Sequence, residues 1–215
     1  MGNIKLKICG IHTHTDLREL FKLQPDYLGF IFFPSSKRFI HPSEAARITK
    51  QMPGNLKSVG VFVNATHKDI LSTAKQCNLS TIQLHGEESP HFCKKLKSEG
   101  LEIIKAFRIQ MHLPAEMISR YVHCSDFFLF DSAGMKPGGN GISFDWKILE
   151  SYPFDVPYFL AGGINLQNIT RISRYKLPGI HALDVNSGFE IRPGEKDIPA
   201  LKKLTQFLQS KNTEK

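Results

Sequence analysis

The sequence predicts an α/β fold in which eight parallel strands, each followed by a helix, close into a barrel. Three observations carry this expectation. Short apolar runs rich in β-branched and aromatic residues recur eight times, their starts separated by 23, 31, 23, 22, 24, 31 and 22 residues. Between them lie stretches with helical spacing of apolar positions. Polar residues and glycines gather at the C-terminal ends of the runs, while the starts are plain. Strand–helix alternation implies parallel strands with right-handed crossovers. Eight repeats favour a closed (β/α)8 TIM barrel over an open doubly wound sheet.

The first run, Ile4–Cys9, ends on a thiol followed at once by Gly10, and Asp16, Leu17, Leu20 and Phe21 then fall at helical spacing. Tyr27–Phe32 leads into the polar turn Ser35-Ser36-Lys37-Arg38. Ser58–Val63 ends at Asn64 and is followed by Ile70, Leu71 and Ala74. Thr81–His85 ends at His85-Gly86-Glu87. Ile103–Phe107 ends before Arg108, and the next stretch is the weakest helix, because Pro114 and the polar Gln110-Met111-His112 leave little room. Phe127–Asp131, Tyr158–Ala161 and Ile180–Val185 end at Asp131-Ser132, Gly162-Gly163 and Asn186-Ser187-Gly188. Pro199, Ala200, Leu201, Leu204 and Leu208 form the closing helix. Residues 1–209 therefore read as one barrel domain and 210–215 as a polar, frayed tail.

Composition excludes several classes. With 215 residues, 41% hydrophobic and 22% charged, the chain is an ordinary globular one. No apolar run approaches the roughly 18 residues of a membrane span. Lys5 and Lys7 interrupt the only apolar stretch at the N-terminus, so no secretory signal is expected. Cys9, Cys77, Cys93 and Cys124 form no C-x-x-C pair and read as reduced thiols of a cytoplasmic protein. The net charge of +8 comes from scattered lysines such as Lys94, Lys95, Lys202 and Lys203. They suit solvated faces and a field that steers a small anionic substrate, and they form no nucleic-acid-binding stripe. His12 and His14 lie in a loop with no third ligand nearby, so no metal site is expected. The quaternary state stays open between monomer and homodimer.

In a barrel, function sits at the C-terminal strand ends. Cys9 and Asp131 both end strands there, and a thiol facing a carboxyl across a substrate forms an acid–base pair. Lys5, Lys7 and Cys9 share one strand face, so Lys7 is expected to favour the thiolate. Asp131 is equally suited to a helix N-cap or to pairing an interior lysine. The glycine turns Gly162-Gly163 and Ser187-Gly188 close strands seven and eight, where barrels bind phosphate through backbone N–H groups and a following helix N-terminus. The guanidinium of Arg38 matches a carboxylate at the far end, or is a plain loop arginine.

These segments resemble the phosphoribosylanthranilate isomerase family of tryptophan biosynthesis. The likeness runs through Lys7-Ile8-Cys9-Gly10, Gly29-Phe30-Ile31-Phe32, Ser36-Lys37-Arg38-Phe39-Ile40 and Gln83-Leu84-His85-Gly86-Glu87. It continues through Gly138-Gly139-Asn140-Gly141, Leu160-Ala161-Gly162-Gly163, Asp184-Val185-Asn186-Ser187-Gly188-Phe189-Glu190 and Pro193-Gly194-Glu195-Lys196-Asp197. The resemblance implies an Amadori rearrangement of N-(5-phosphoribosyl)anthranilate to 1-(2-carboxyphenylamino)-1-deoxyribulose 5-phosphate, without cofactor. It implies Asp131 as the acid that opens the furanose ring and Cys9 as the base that removes the C2′ proton. Arg38 would hold the anthranilate carboxylate, the two glycine turns the phosphate with Asp184 beside them, and Lys7, Gln83 and His85 would complete the site. Asn140, Ile164 and Asn186 depart from the family's usual residues. Rival readings are a metal-dependent pentose-phosphate epimerase, which needs more His and Asp ligands than His85 and Asp131. Indole-glycerol-phosphate synthase would place a lysine where Cys9 stands. A non-catalytic phosphate-ligand-binding barrel remains the alternative from another class.

Overall fold

The structure, a computed structural model, describes residues 4–132 and 144–213. Gly138-Gly139-Asn140-Gly141 lies outside the described residues. Eight parallel strands pair in sequence order and close on themselves: β1 (Lys5–Cys9), β2 (Tyr27–Ile31), β3 (Lys57–Phe62), β4 (Thr81–Leu84), β5 (Glu102–Ile109), β6 (Phe127–Ser132), β7 (Tyr158–Leu160) and β8 (Ile180–Val185). Closure is the β1–β8 ladder, which sets Lys7 opposite Asp184. The (β/α)8 barrel read from the sequence is the fold of the chain.

Side chains alternate across each strand, and the interior set is largely apolar. Tyr27, Val59, Ile104, Ala106, Leu129, Phe159, Ala161 and Ala182 pack as one buried cluster, joined by the partly buried Phe127. The same alternation carries the polar interior positions upward two residues at a time: Lys7 then Cys9, Gln83 then His85, Leu129 then Asp131, Ala182 then Asp184. The apolar layers thus support a polar mouth at the C-terminal strand ends.

Six α-helices pack outside: α1 (Leu17–Lys22), α2 (Pro42–Thr49), α3 (His67–Cys77), α4 (Pro90–Ser98), α5 (Ala115–Ser119) and α6 (Ile198–Thr213). Asp16, Thr66 and Ser89 cap α1, α3 and α4 by accepting from the backbone N–H three residues on. The left-handed Asn78 (φ 49°) ends α3.

Three expectations change. The sixth and seventh connections carry short 3₁₀ segments, Trp146–Ser151 and Ile169–Arg174, in place of α-helices. Tyr152 precedes Pro153 and adopts an extended backbone, which stops the first. β-branched Ile169, Thr170 and Ile172 weaken the second. Beyond β8 stands a two-stranded hairpin absent from the sequence reading, β9 (Glu190–Arg192) with β10 (Glu195–Lys196). Last, α6 continues to Thr213, past Ser210 where the frayed tail was expected to begin.

Candidate active site

The mouth of the barrel opens into a cleft of about 810 Å3, counting the space open to solvent. Cys9, Gln83, His85, Asp131 and Asp184 line it, as do the turns Gly162-Gly163 and Ser187-Gly188. Lys7 and Arg38 do not line the cleft; each stands one layer behind it.

Lys7 is fully buried, and its Nζ bonds Asp184 Oδ2 at 2.8 Å. Burial works against its charge, but Asp184 together with Cys9 outweighs it and holds the Lys7 pKa above the usual value. The other oxygen, Asp184 Oδ1, is buried without a protein partner. Asp184 therefore partners the interior lysine and lines the cleft together with the two glycine turns.

The thiol of Cys9 is 5% exposed. Burial pushes its pKa up, and the negative Asp184 adds to this, while Lys7 and Lys196 pull against it. Lys7 does act toward the thiolate, as expected from the sequence, but burial of the thiol outweighs it.

Asp131 caps no helix among the described residues; its Oδ1 accepts from the adjacent Ser132 N–H at 2.8 Å. Its Oδ2 lies 3.4 Å from His85 Nε2. Gln83 Nε2 bonds His85 Nδ1 at 2.8 Å. An amide nitrogen only donates, so Nδ1 accepts and the ring proton sits on Nε2, facing Asp131. Both groups stay partly open to the cleft, with side chains 20% and 26% exposed for His85 and Asp131.

The glycine turns have a steric cause. Gly162 adopts φ +83°, and a Cβ there would collide with the Ser132 backbone nitrogen beside Asp131. At Gly188 a Cβ would collide with the Ile164 carbonyl, so the turn after β8 rests on the turn after β7. Asn165 and Asn168 side-chain amides both donate to the Gly163 carbonyl, at 3.1 and 2.8 Å. Only 3₁₀ segments directly follow the two turns, so no long helix directs its dipole at them.

Arg38 is 7% exposed rather than a surface loop residue. Its guanidinium is already bonded to Glu190, whose other oxygen receives Lys196 Nζ at 2.7 Å. Glu190 and Lys196 are site neighbours that sequence reasoning quoted but did not single out. The signal was present: Pro193-Gly194 between two short charged runs marks a hairpin that turns both side chains back onto the barrel.

Residues 6–209 match the family model for N-(5'phosphoribosyl)anthranilate (PRA) isomerase. The chain is 40% identical over 203 residues to the N-(5'-phosphoribosyl)anthranilate isomerase of Parabacteroides distasonis, covering 94% of this chain and 91% of that protein. Among solved structures it is similar to phosphoribosyl anthranilate isomerase from Thermus thermophilus, with TM-score 0.83 and 29% identity over 96% of this chain and 99% of that one. It is also similar to a phosphoribosyl anthranilate isomerase in complex with reduced 1-(o-carboxyphenylamino)-1-deoxyribulose 5-phosphate. There the TM-score is 0.81 and the identity 31%, over 96% of this chain and 99% of that one. The chain belongs to the N-(5'-phosphoribosyl)anthranilate isomerase family.

Proposed function

We propose that the chain isomerises N-(5-phosphoribosyl)anthranilate to 1-(2-carboxyphenylamino)-1-deoxyribulose 5-phosphate in tryptophan biosynthesis, with Asp131 as acid and Cys9 as base. The observation that carries the assignment of roles is that a thiol and a carboxyl line one cleft together with two glycine turns. Asp131 protonates the furanose ring oxygen as the C1′–O bond breaks, leaving a C1′ iminium. The Cys9 thiolate removes the C2′ proton, and the electron pair forms the C1′=C2′ bond of an enolamine. Tautomerisation then takes the proton off the 2′-hydroxyl and places one on C1′, so no proton is gained or lost overall.

The buried thiol is a poor base until it ionises: burial holds its pKa up, while Lys7 and Lys196 pull toward the thiolate. A nearby iminium adds to that pull at the step where the base is required. His85, holding its Nε2 proton toward Asp131, steadies the carboxylate left after proton donation. The phosphate sits on the turns at Gly162-Gly163 and Ser187-Gly188, and the ring carboxylate lies toward Arg38. The substrate is a small, doubly anionic molecule handled in the cytoplasm, which suits four free cysteines and a chain of net charge +8.

The test is direct. N-(5-phosphoribosyl)anthranilate generated in situ is fluorescent, and its decay is followed with purified protein. Accelerated loss with formation of the aminoketose supports the reading; binding without turnover would instead make this a non-catalytic phosphate-ligand barrel.

A further inference from the structure

Behind the cleft lies a buried charge cluster centred on Glu190, a residue the reaction scheme leaves unused. Arg38 Nε donates to both oxygens of Glu190, at 3.0 and 2.8 Å, and Nη2 donates to Oε2 at 2.6 Å. Lys196 Nζ donates to Glu190 Oε1 at 2.7 Å and to Asn186 Oδ1 at 3.0 Å. The Gly194 N–H completes the set on Oε1 at 3.1 Å. The three charged side chains are 9%, 3% and 0% exposed for Arg38, Glu190 and Lys196. Two basic side chains share one buried carboxylate.

A guanidinium offers two edges to carboxylates, a side edge (Nε, Nη2) and an end edge (Nη1, Nη2). Glu190 occupies the side edge, and among the described residues Nη1 donates to no protein acceptor. The aliphatic stem is fixed as well: it crosses Gly10 so closely that a Cβ there would lie 2.9 Å from Arg38 Cδ. Holding a long side chain by one edge removes the rotamer freedom that binding would otherwise have to freeze out. The remaining edge is then held ready for an anion.

We propose that Glu190 is a positioning residue that holds Arg38 with its end edge presented to the substrate's ring carboxylate. Lys196 is its second anchor, joining this end of the site to Asn186 at the turn after β8. This rests on the reading of Arg38 as the group that meets the carboxylate. A merely structural Glu190, tying the β2 loop to the β9–β10 hairpin, would be blind to whether the ligand carries that carboxylate.

The experiment compares two probes by calorimetry: the reduced aminoketose product analogue, and its counterpart lacking the ring carboxylate. Against native protein, Glu190→Gln is expected to weaken the carboxylate-bearing analogue by about 10- to 100-fold, the range for losing an organised charge-assisted hydrogen bond, and to leave the other within roughly twofold. In turnover the same variant raises KM with little change in kcat. Glu190→Asp, which keeps the charge one methylene shorter, recovers part of the discrimination. In an Arg38→Met background Glu190→Gln adds no further carboxylate-specific loss. Equal weakening of both analogues by Glu190→Gln, or full additivity with Arg38→Met, overturns the proposal. The underlying reading is scored separately by Arg38→Met alone: if that variant does not distinguish the two analogues, the carboxylate is bound elsewhere and the proposal falls with it. Should Glu190→Gln not fold, the charge-balanced Glu190→Gln/Lys196→Met protein is judged by the same criteria.

Discussion

Gln83 fixes the proton of His85: its Nε2 bonds Nδ1 at 2.8 Å and leaves the Nε2 proton facing Asp131 Oδ2 at 3.4 Å. Gln83→Met keeps the volume of this buried side chain and removes the donor. The expected result is a fall in kcat of roughly 10- to 100-fold, at or below the lower end of the about 10²- to 10⁴-fold effect of a positioned acid or base. Nitrogen-15 shifts of the His85 ring are expected to show the Nε2–H form in native protein and a mixture in the variant. An unchanged tautomer with unchanged kcat would strike His85 from the positioning of Asp131.

The thiol is expected to be indispensable. Cys9→Ser should keep the fold and lose turnover by about 10²- to 10⁴-fold, because a hydroxyl is far too weak a base. Cys77→Ala, Cys93→Ala and Cys124→Ala should leave kcat nearly unchanged, since those sulfurs are buried away from the cleft. Near-native kcat in Cys9→Ser would remove the sulfur from the mechanism.

Asp131→Asn separates chemistry from binding. Turnover should drop by about 10²- to 10⁴-fold or more, while the product analogue binds nearly as before. Collapse of analogue binding or of the fold would make Asp131 a structural residue.

The Lys7–Asp184 pair allows a test of opposite signs at one thiol. Lys7→Met removes a positive neighbour and unmasks a negative one, so the Cys9 titration should move further up. Asp184→Asn does the reverse and should move it down. Each variant also breaks a buried ion pair, which costs about 3–5 kcal/mol of stability. Alkylation rate at Cys9 against pH reads the shift; movement in the same direction for both variants would contradict the electrostatic account.

At the other end of the barrel, Tyr27 Oη and His181 Nε2 are 2.8 Å apart. Burial lowers the His181 pKa from 6.5 to about 4, and nearby Lys5 adds to this. Burial therefore makes the neutral ring the folded form. Between pH 6.5 and 4 the unfolded chain binds the extra proton, and stability falls as pH drops through that window. Urea unfolding midpoints at pH 7.5 and 4.5 should therefore differ more in native protein than in His181→Gln. An equal difference in both would assign the acid sensitivity to other groups.

What the sequence made legible was local. Each strand run is a short segment rich in apolar residues, and the eight-fold count fixed the topology because closure leaves few choices. Cys9 and Asp131 could be picked out because they terminate such runs and the topology sends strand ends to one mouth. What escaped was whatever depends on partners distant in sequence. Asp184 could be named but not paired, since its lysine lies 177 positions away. Arg38 was visible as a cation, but its burial depends on Glu190, 152 residues on, within a hairpin too short to show a periodic pattern. The 3₁₀ connections escaped for a different reason: apolar spacing alone does not separate one tight turn from a short α-helix.

The ladder between β1 and β8 also bears on how the protein is born. During synthesis β1 emerges first and must wait, carrying Lys7 on a face destined for a dry interior, until Asp184 leaves the ribosome. An intermediate lacking β8 has an open edge and an unpaired inward cation, so premature closure around the wrong strand is disfavoured by the same charge that later stabilises the right one. The arginine at position 38 waits longer still, for a hairpin that ends at Lys196. Nascent chains halted before that point should therefore be held open for chaperones rather than trapped as closed seven-stranded species.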